Sequence, residues 1–160
     1  LEFVGIPTLS AIQEARDALT EVGGLDMPIV LMGGIKDGID AVKALALGAH
    51  AVAMGTSAII AGGCIACLQC HVGTCVTGIA TQDPEHEKRY NVPVEAQNIH
   101  HFLESVRWQI AAITNALGYS DPHQVSRDDL VALTPEAAAI TRLPYAPEYR
   151  SRQADLRKAS

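Results

Sequence analysis

The chain has 160 residues, 48% hydrophobic but only 4% aromatic, and a net charge of −6 from 12 basic and 18 acidic side chains. It carries no basic run, which argues against nucleic acid as a partner, and no apolar stretch of about 18 residues or signal-peptide pattern, which argues against a membrane. The length suits one domain with a real core but falls short of the about 250 residues of a complete (β/α)8 barrel, so a chain starting at Leu1 reads as a fragment.

Much Ala, Gly, Ile and Val with few aromatics predicts α/β packing in a soluble, cytoplasmic protein. From Thr8 or Ser10 to Val22, apolar residues at Leu9, Ile12, Ala15, Leu19 and Val22 fall at helical spacing, and Gly23-Gly24 stops them. Pro28-Ile29-Val30-Leu31-Met32 is a continuous apolar run entering Gly33-Gly34, the pattern of a buried parallel strand and tight turn. Asp37 is placed to cap a helix from about Gly38 to Leu47, with Gly48 at its C-terminal stop. Residues 49–54 repeat the strand pattern and end at Gly55-Thr56-Ser57, completing a βαβ unit. After a charged span to Pro93, a long helix is predicted from about Val94 to Leu117. Ile99, Phe102, Leu103, Val106, Ile110, Ile113 and Leu117 form its apolar stripe, Trp108 serves in packing, and Gly118 ends it. Ser126 and Thr134-Pro135 open two short helices, and beyond Pro144 the chain is expected to be extended or mobile.

Two strands that each end in a glycine turn bring backbone N–H groups to one sheet edge, the setting in which α/β proteins bind phosphate. Gly33, Gly34, Gly55 and Thr56 are the candidate residues. Either glycine turn taken alone is better explained as a tight turn; the tandem arrangement favours the anion.

Every cysteine lies in one twelve-residue run, Cys64, Cys67, Cys70 and Cys75, spaced C-x2-C-x2-C-x4-C among glycines. In a reducing compartment such thiols are more often metal ligands than disulfides. The spacing resembles bacterial ferredoxin runs and so favours an iron–sulfur centre. Zinc is the rival, and the second knuckle that a structural zinc site usually presents is missing. His71, His86, His100, His101 and His123 read as surface or helix residues, and Lys36 reads equally as an anion contact or a solvated side chain.

The runs Gly33-Gly34-Ile35-Lys36-Asp37-Gly38, Ala46-Leu47-Gly48-Ala49, Gly55-Thr56-Ser57-Ala58-Ile59-Ile60, Gly63-Cys64-Ile65, Cys70-His71, Cys75 and Gly78-Ile79-Ala80-Thr81-Gln82-Asp83-Pro84 follow one another in order. So ordered, and preceded by Phe3-Val4-Gly5-Ile6-Pro7-Thr8, they resemble the FMN-binding synthase domain of glutamate synthase over residues 2–119. The resemblance implies the C-terminal portion of a (β/α)8 FMN-binding barrel (residues 1–62), an iron–sulfur loop (63–93), a helical extension (94–144) and a tail (145–160). It implies FMN near Gly33, Gly34, Gly55 and Thr56, and a [3Fe–4S] cluster on Cys64, Cys70 and Cys75. Reduced flavin would form L-glutamate from 2-oxoglutarate and glutamine-derived ammonia. The implied partners are the remainder of the barrel, a glutaminase domain or subunit, an electron-donating subunit or domain (NAD(P)H-linked or ferredoxin), and further copies in an oligomer. This chain departs from the pattern in having Asp37 for a threonine, Val76 for a proline, and the additional Cys67, which would make a [4Fe–4S] cluster if it also ligates. The large subunit of N-methylglutamate synthase is similar too. Two readings from outside the family are a non-catalytic, metal-stabilised assembly module and an FMN hydroxy-acid oxidase, the latter disfavoured by the cysteine loop.

Overall fold

A computed structural model of the protein describes residues 5–24 and 26–148. The Phe3-Val4 start and the tail beyond residue 148 lie outside the described residues. Helix α1 (Thr8–Glu21) ends at the expected glycine pair. Strand β1 (Val30–Met32), helix α2 (Gly38–Ala46) and strand β2 (Ala51–Ala53) follow, with the two strands parallel and Val30, Leu31 and Met32 opposite Ala51, Val52 and Ala53. This is the βαβ order expected from the alternation of apolar runs and glycine turns. Helix α3 (Thr56–Ala61) then leads into the cysteine loop. Beyond the loop come α4 (Pro84–Glu87), the long α5 (Val92–Ala116) and α6 (Pro135–Thr141).

Caps set these boundaries. The Asp37 carboxylate accepts the Asp40 N–H at 2.9 Å, Asn91 accepts the Val94 N–H at 3.4 Å and the Thr134 hydroxyl accepts the Ala137 N–H at 3.1 Å. Each satisfies an amide that the first helical turn leaves without an intrahelical partner. The short helix predicted at Ser126 is a single 3-10 turn, Arg127–Asp129, closed by a capping box between Ser126 and Asp129.

The core lies on both sides of α2. One face joins Ala41 and Ala44 to Ile12 of α1, Leu31 of β1, Ile35, Leu47 and Ala49. The opposite face sets Val42 and Ala46 against Val125 and the α5 residues Ile110 and Ile113. Ile12 and Leu47 are completely enclosed, which stabilises the fold by about 1.5–3 kcal/mol each relative to exposure. The one polar side chain buried beside them, Gln13, donates to the Leu47 carbonyl at 3.2 Å and so carries no unmet donor into the core.

Helix α5 ties the layers together. Its Gln109 Oε1 accepts the Gly38 N–H at the start of α2, 2.7 Å away. Ten residues earlier, Ile99 lies so close to Gly62 at the end of α3 that a Cβ there would sit 2.9 Å from Ile99 Cδ1.

Four expectations are corrected. The strands are buried on one face only: Leu31 is enclosed, whereas Val30 and Met32 are 61% and 74% exposed, because the two-stranded sheet is covered by helices on one side alone. Trp108 is 67% exposed, with the Arg107 guanidinium 5.6 Å from its ring centroid. Leu103 and Leu117, assigned to the buried stripe of α5, are both exposed, since α5 turns a narrower arc toward α2 and α3 than its composition suggests. The tail expected to be extended or mobile beyond Pro144 is instead held at its first described residues: Tyr145 pairs in parallel with Ala132, and the Ala132 and Ala146 N–H groups donate at 2.9 Å to the Pro144 and Ala132 carbonyls.

Candidate functional site

The two glycine turns open on one recess of 790 Å³ at the C-terminal ends of the strands. Gly33, Gly34 and Lys36 line it from the β1–α2 turn, and Gly55, Thr56 and Ser57 from the β2–α3 turn. All four candidate phosphate residues are thus brought together. The Ser57 hydroxyl donates to the Ile35 carbonyl at 3.0 Å and locks one turn to the other. Gly33 and Gly34 adopt φ of 118° and 72°, backbone that L side chains rarely take. A Cβ on Gly55 would meet no atom within 4 Å, so that wall of the recess is backbone facing open space. Such a cradle fits a phosphate group of FMN, whose oxygens need close approach to main-chain N–H groups.

Charge around the recess is arranged by Asp40. It accepts Lys36 Nζ at 3.1 Å and Lys43 Nζ at 3.5 Å. Burial pushes the Asp40 carboxyl up, but the Lys36 hydrogen bond and the charges of both lysines outweigh it and hold the group below the ordinary carboxylate range. The Asp40 hydrogen bond and charge in turn raise Lys36, which stays a cation at the mouth of the recess. Asp37 caps α2 through the Asp40 N–H and is not among the residues that line the recess. Sequence reasoning missed the Ser57 link, because nothing in the pattern shows that a hydroxyl in one turn reaches a carbonyl in the other.

The cysteine loop begins at Gly63, just beyond the Gly62 C-cap of α3, and the Cys64 N–H donates to the Ile59 carbonyl at 3.0 Å. It curls through Ala66 and Leu68, two non-glycine residues at left-handed φ of 53° and 59°. Cys70–Val72 form a 3-10 turn. An antiparallel bridge between Thr74 and Thr81 closes the distal arc, reinforced by the Thr81 hydroxyl donating to the Gly73 carbonyl at 2.7 Å.

The four thiols are free; Cys67 and Cys70 are exposed, Cys64 is half-buried and Cys75 is buried. Among the described residues, no three His, Cys, Asp or Glu side chains are grouped closely enough to hold a metal ion, so Cys64, Cys70 and Cys75 are not brought to a common point. Thiolate sulfur is the donor type that iron–sulfur centres use, but the described geometry does not assemble three such donors. Cys75 Sγ lies 3.3 Å from the Thr77 hydroxyl, and backbone N–H groups of Ala80, Thr77 and Ile79 also favour its charged form. The Thr77 hydrogen bond, followed by these amides, lowers the Cys75 thiol to about 6. At neutral pH the sulfur is therefore a thiolate, the form that binds metal.

A parallel βαβ layer whose glycine turns share one recess, joined through a short helix to a thiol-rich loop, defines a piece of an α/β protein. Residues 1–120 match the conserved region in glutamate synthase, and the chain belongs to that family. It is 37% identical over 163 aligned residues to a glutamate synthase large subunit-like protein of Rhizobium meliloti (strain 1021), covering 91% of this chain and 37% of that relative. It is 42% identical to an archaeal-type glutamate synthase [NADPH] of Thermotoga neapolitana (strain ATCC 49049 / DSM 4359 / NBRC 107923 / NS-E) across 73% of this chain and 23% of that one. A ferredoxin-dependent glutamate synthase of Cyanidium caldarium is 34% identical over 82% of this chain and 8% of its own length. The chain thus spans well under half the length of these relatives. No helix among the described residues is long and apolar enough to cross a membrane.

Proposed function

We propose that this chain forms the C-terminal part of the FMN-binding (β/α)8 barrel and the iron–sulfur loop of a glutamate synthase, an oxidoreductase that makes L-glutamate from 2-oxoglutarate and glutamine-derived ammonia. The observation that carries the reading is the direct junction, through six-residue α3, of the glycine-turn recess to the cysteine loop. Gly33, Gly34, Gly55 and Thr56 would hold the FMN phosphate, with Lys36 adding positive charge. Cys64, Cys70 and Cys75 would ligate a [3Fe–4S] cluster, with Cys67 as a fourth ligand if the cluster is [4Fe–4S]. When bound, the flavin would supply hydride and the cluster electrons; the two glycine turns would hold the first, and the thiols of Cys64, Cys70 and Cys75 the second. The exposed face carrying Val30 and Met32 would be covered by the remaining barrel strands of the polypeptide, which in a barrel leave no open sheet edge. The electron donor, NAD(P)H-linked or ferredoxin, and the glutaminase would be further domains or subunits of a cytoplasmic oligomer.

The test is a flavin absorption spectrum together with iron and acid-labile sulfide analysis of the intact protein. Flavin, iron and sulfide are expected, with the metal and sulfide lost on Cys64→Ser, Cys70→Ser or Cys75→Ser. Cys67→Ser leaves a three-iron cluster intact and damages a four-iron one. A single zinc without sulfide would overturn the reading.

A second reading is the large subunit of N-methylglutamate synthase. It rests on the compact run Asp129-Leu130-Val131-Ala132-Leu133-Thr134, which follows the 120 residues of the family region. Supplying methylamine or ammonia as nitrogen source and identifying the product separates the two.

A further inference from the structure

The two walls of the glycine-turn recess are anchored unequally. On the β1–α2 side, Ile35 directly follows Gly33-Gly34 and is only 7% exposed, inside the cluster that joins α1, β1 and α2. On the β2–α3 side, β2 is three residues long and none of the six side chains of α3 is buried. The far end of α3 is braced by α5, where Ile99 lies against Gly62. At its near end, among the described residues, a single side-chain hydrogen bond crosses from one wall to the other: Ser57 Oγ donates to the Ile35 carbonyl at 3.0 Å. A carbonyl oxygen only accepts, so the direction of this bond is fixed. The adjacent Thr56 also lines the recess, and its hydroxyl bonds to no described residue.

We propose that Ser57 is the positioning residue of the recess: its bond to Ile35 carries the order of the core to the start of α3 and sets the separation of the Gly33-Gly34 and Gly55-Thr56 walls, so that both reach one phosphate group. The inference rests on the reading of the recess as a phosphate site. Main-chain N–H groups bind an oxyanion at about 2.7–3.2 Å, and such a site works when its groups are held within about 0.5 Å of the productive geometry by locked side chains. A short strand and a helix without buried side chains do not supply that hold; the Ser57 bond does. The two neighbouring hydroxyls thus divide the work, Ser57 serving the scaffold and Thr56 facing the ligand.

The experiment compares wild type, Ser57→Ala and Ser57→Thr in the intact protein, freed of flavin. Amide hydrogen exchange reads the link itself. In Ser57→Ala the amides of residues 59–62 should exchange about fivefold faster, the factor that loss of one ordinary hydrogen bond produces, while those of α2 stay unchanged. Titration with FMN and with riboflavin reads its consequence, because the two differ only in the phosphate and their affinity ratio cancels the ring contacts made by the rest of the polypeptide. That ratio should fall about fivefold in Ser57→Ala. Ser57→Thr, which keeps the hydroxyl, should match the wild type in both. Unchanged exchange, an unchanged ratio, or a threonine variant as impaired as the alanine one overturns the proposal. Should Ser57→Ala fail to fold, the isosteric pair Ser57→Thr and Ser57→Val makes the same comparison. A wild type that binds FMN no better than riboflavin defeats the phosphate reading itself, whereas a clear wild-type preference that survives in Ser57→Ala defeats only the role of Ser57.

Discussion

Replacing Gly38 with alanine sets helix propensity against packing. Gly38 opens α2, and alanine there gains up to about 1 kcal/mol from propensity alone. The added Cβ, however, would lie 2.5 Å from the Val106 carbonyl oxygen and 2.7 Å from Gln109 Cβ. The first overlap is with backbone, so no side-chain rotation relieves it and α2 must move away from α5. Forcing an extra methyl into a packed contact costs about 1–3 kcal/mol, and loosening the 2.7 Å bond from the Gly38 N–H to Gln109 adds about 1 kcal/mol. The net expectation is a loss of about 1–3 kcal/mol. Urea denaturation followed by far-ultraviolet circular dichroism should show a midpoint lowered by about 1 M with the slope unchanged. Because α2 begins just after the Gly33-Gly34 turn, flavin retention should fall in parallel. A Gly38→Ala protein as stable as the wild type, or more so, would show that α2 and α5 do not meet as described.

Two further changes probe the tail and the loop. His123 Nε2 faces the His50 carbonyl at 3.0 Å and Nδ1 faces Asp121 Oδ1 at 3.1 Å; both partners accept, so the pair of contacts favours the doubly protonated ring. The His50 carbonyl first, and then Asp121, raise His123 above its ordinary 6.5. A raised folded-state value means the contribution is complete below about pH 6.5 and fades as pH rises through the folded-state value. The stability gap between wild type and His123→Gln should therefore narrow between pH 6 and pH 8, and a gap independent of pH would refute this account. Gly78→Ala places a Cβ at φ 84° and 2.5 Å from the His86 carbonyl oxygen. Left-handed strain and overlap together should cost about 2–5 kcal/mol locally and speed proteolysis between residues 73 and 90; an unchanged cleavage pattern would count against it.

What the sequence made legible was whatever is encoded locally. The α1 and α2 spans, the Asp37 and Thr134 caps, and the stop at Gly118 follow from short-range rules, and the structure reproduces them. Helix α3 escaped notice because Thr56–Ala61 is mostly small and β-branched and directly follows a glycine turn, which reads as turn rather than helix. Helix α4 escaped because Pro84–Glu87 has no apolar stripe; its signals were the Asp83 cap and Pro84 at the first turn. Trp108 was misplaced since periodicity ranks positions on a helix without showing how wide an arc its neighbours cover. At the site, the convergence of Gly33, Gly34, Gly55 and Thr56 was readable because parallel strands deliver their C-terminal turns to one edge. The thiols differ: where bonds to a metal fix ligand positions, the chain's own packing need not gather the sulfurs beforehand, and spacing reports their number but not their meeting point.

The two contacts of α5, Gln109 with Gly38 and Ile99 with Gly62, stand ten residues apart on one rod, about 15 Å at 1.5 Å per residue. One grips the helix that rises from the first glycine turn, and the other grips the junction where the thiol loop departs. The spacing between the proposed flavin end and the proposed cluster end is therefore metered by a rigid gauge and not by slack in a loop. A substitution midway along α5 that bends this rod would therefore move the end of α3 relative to the start of α2 without touching either glycine turn.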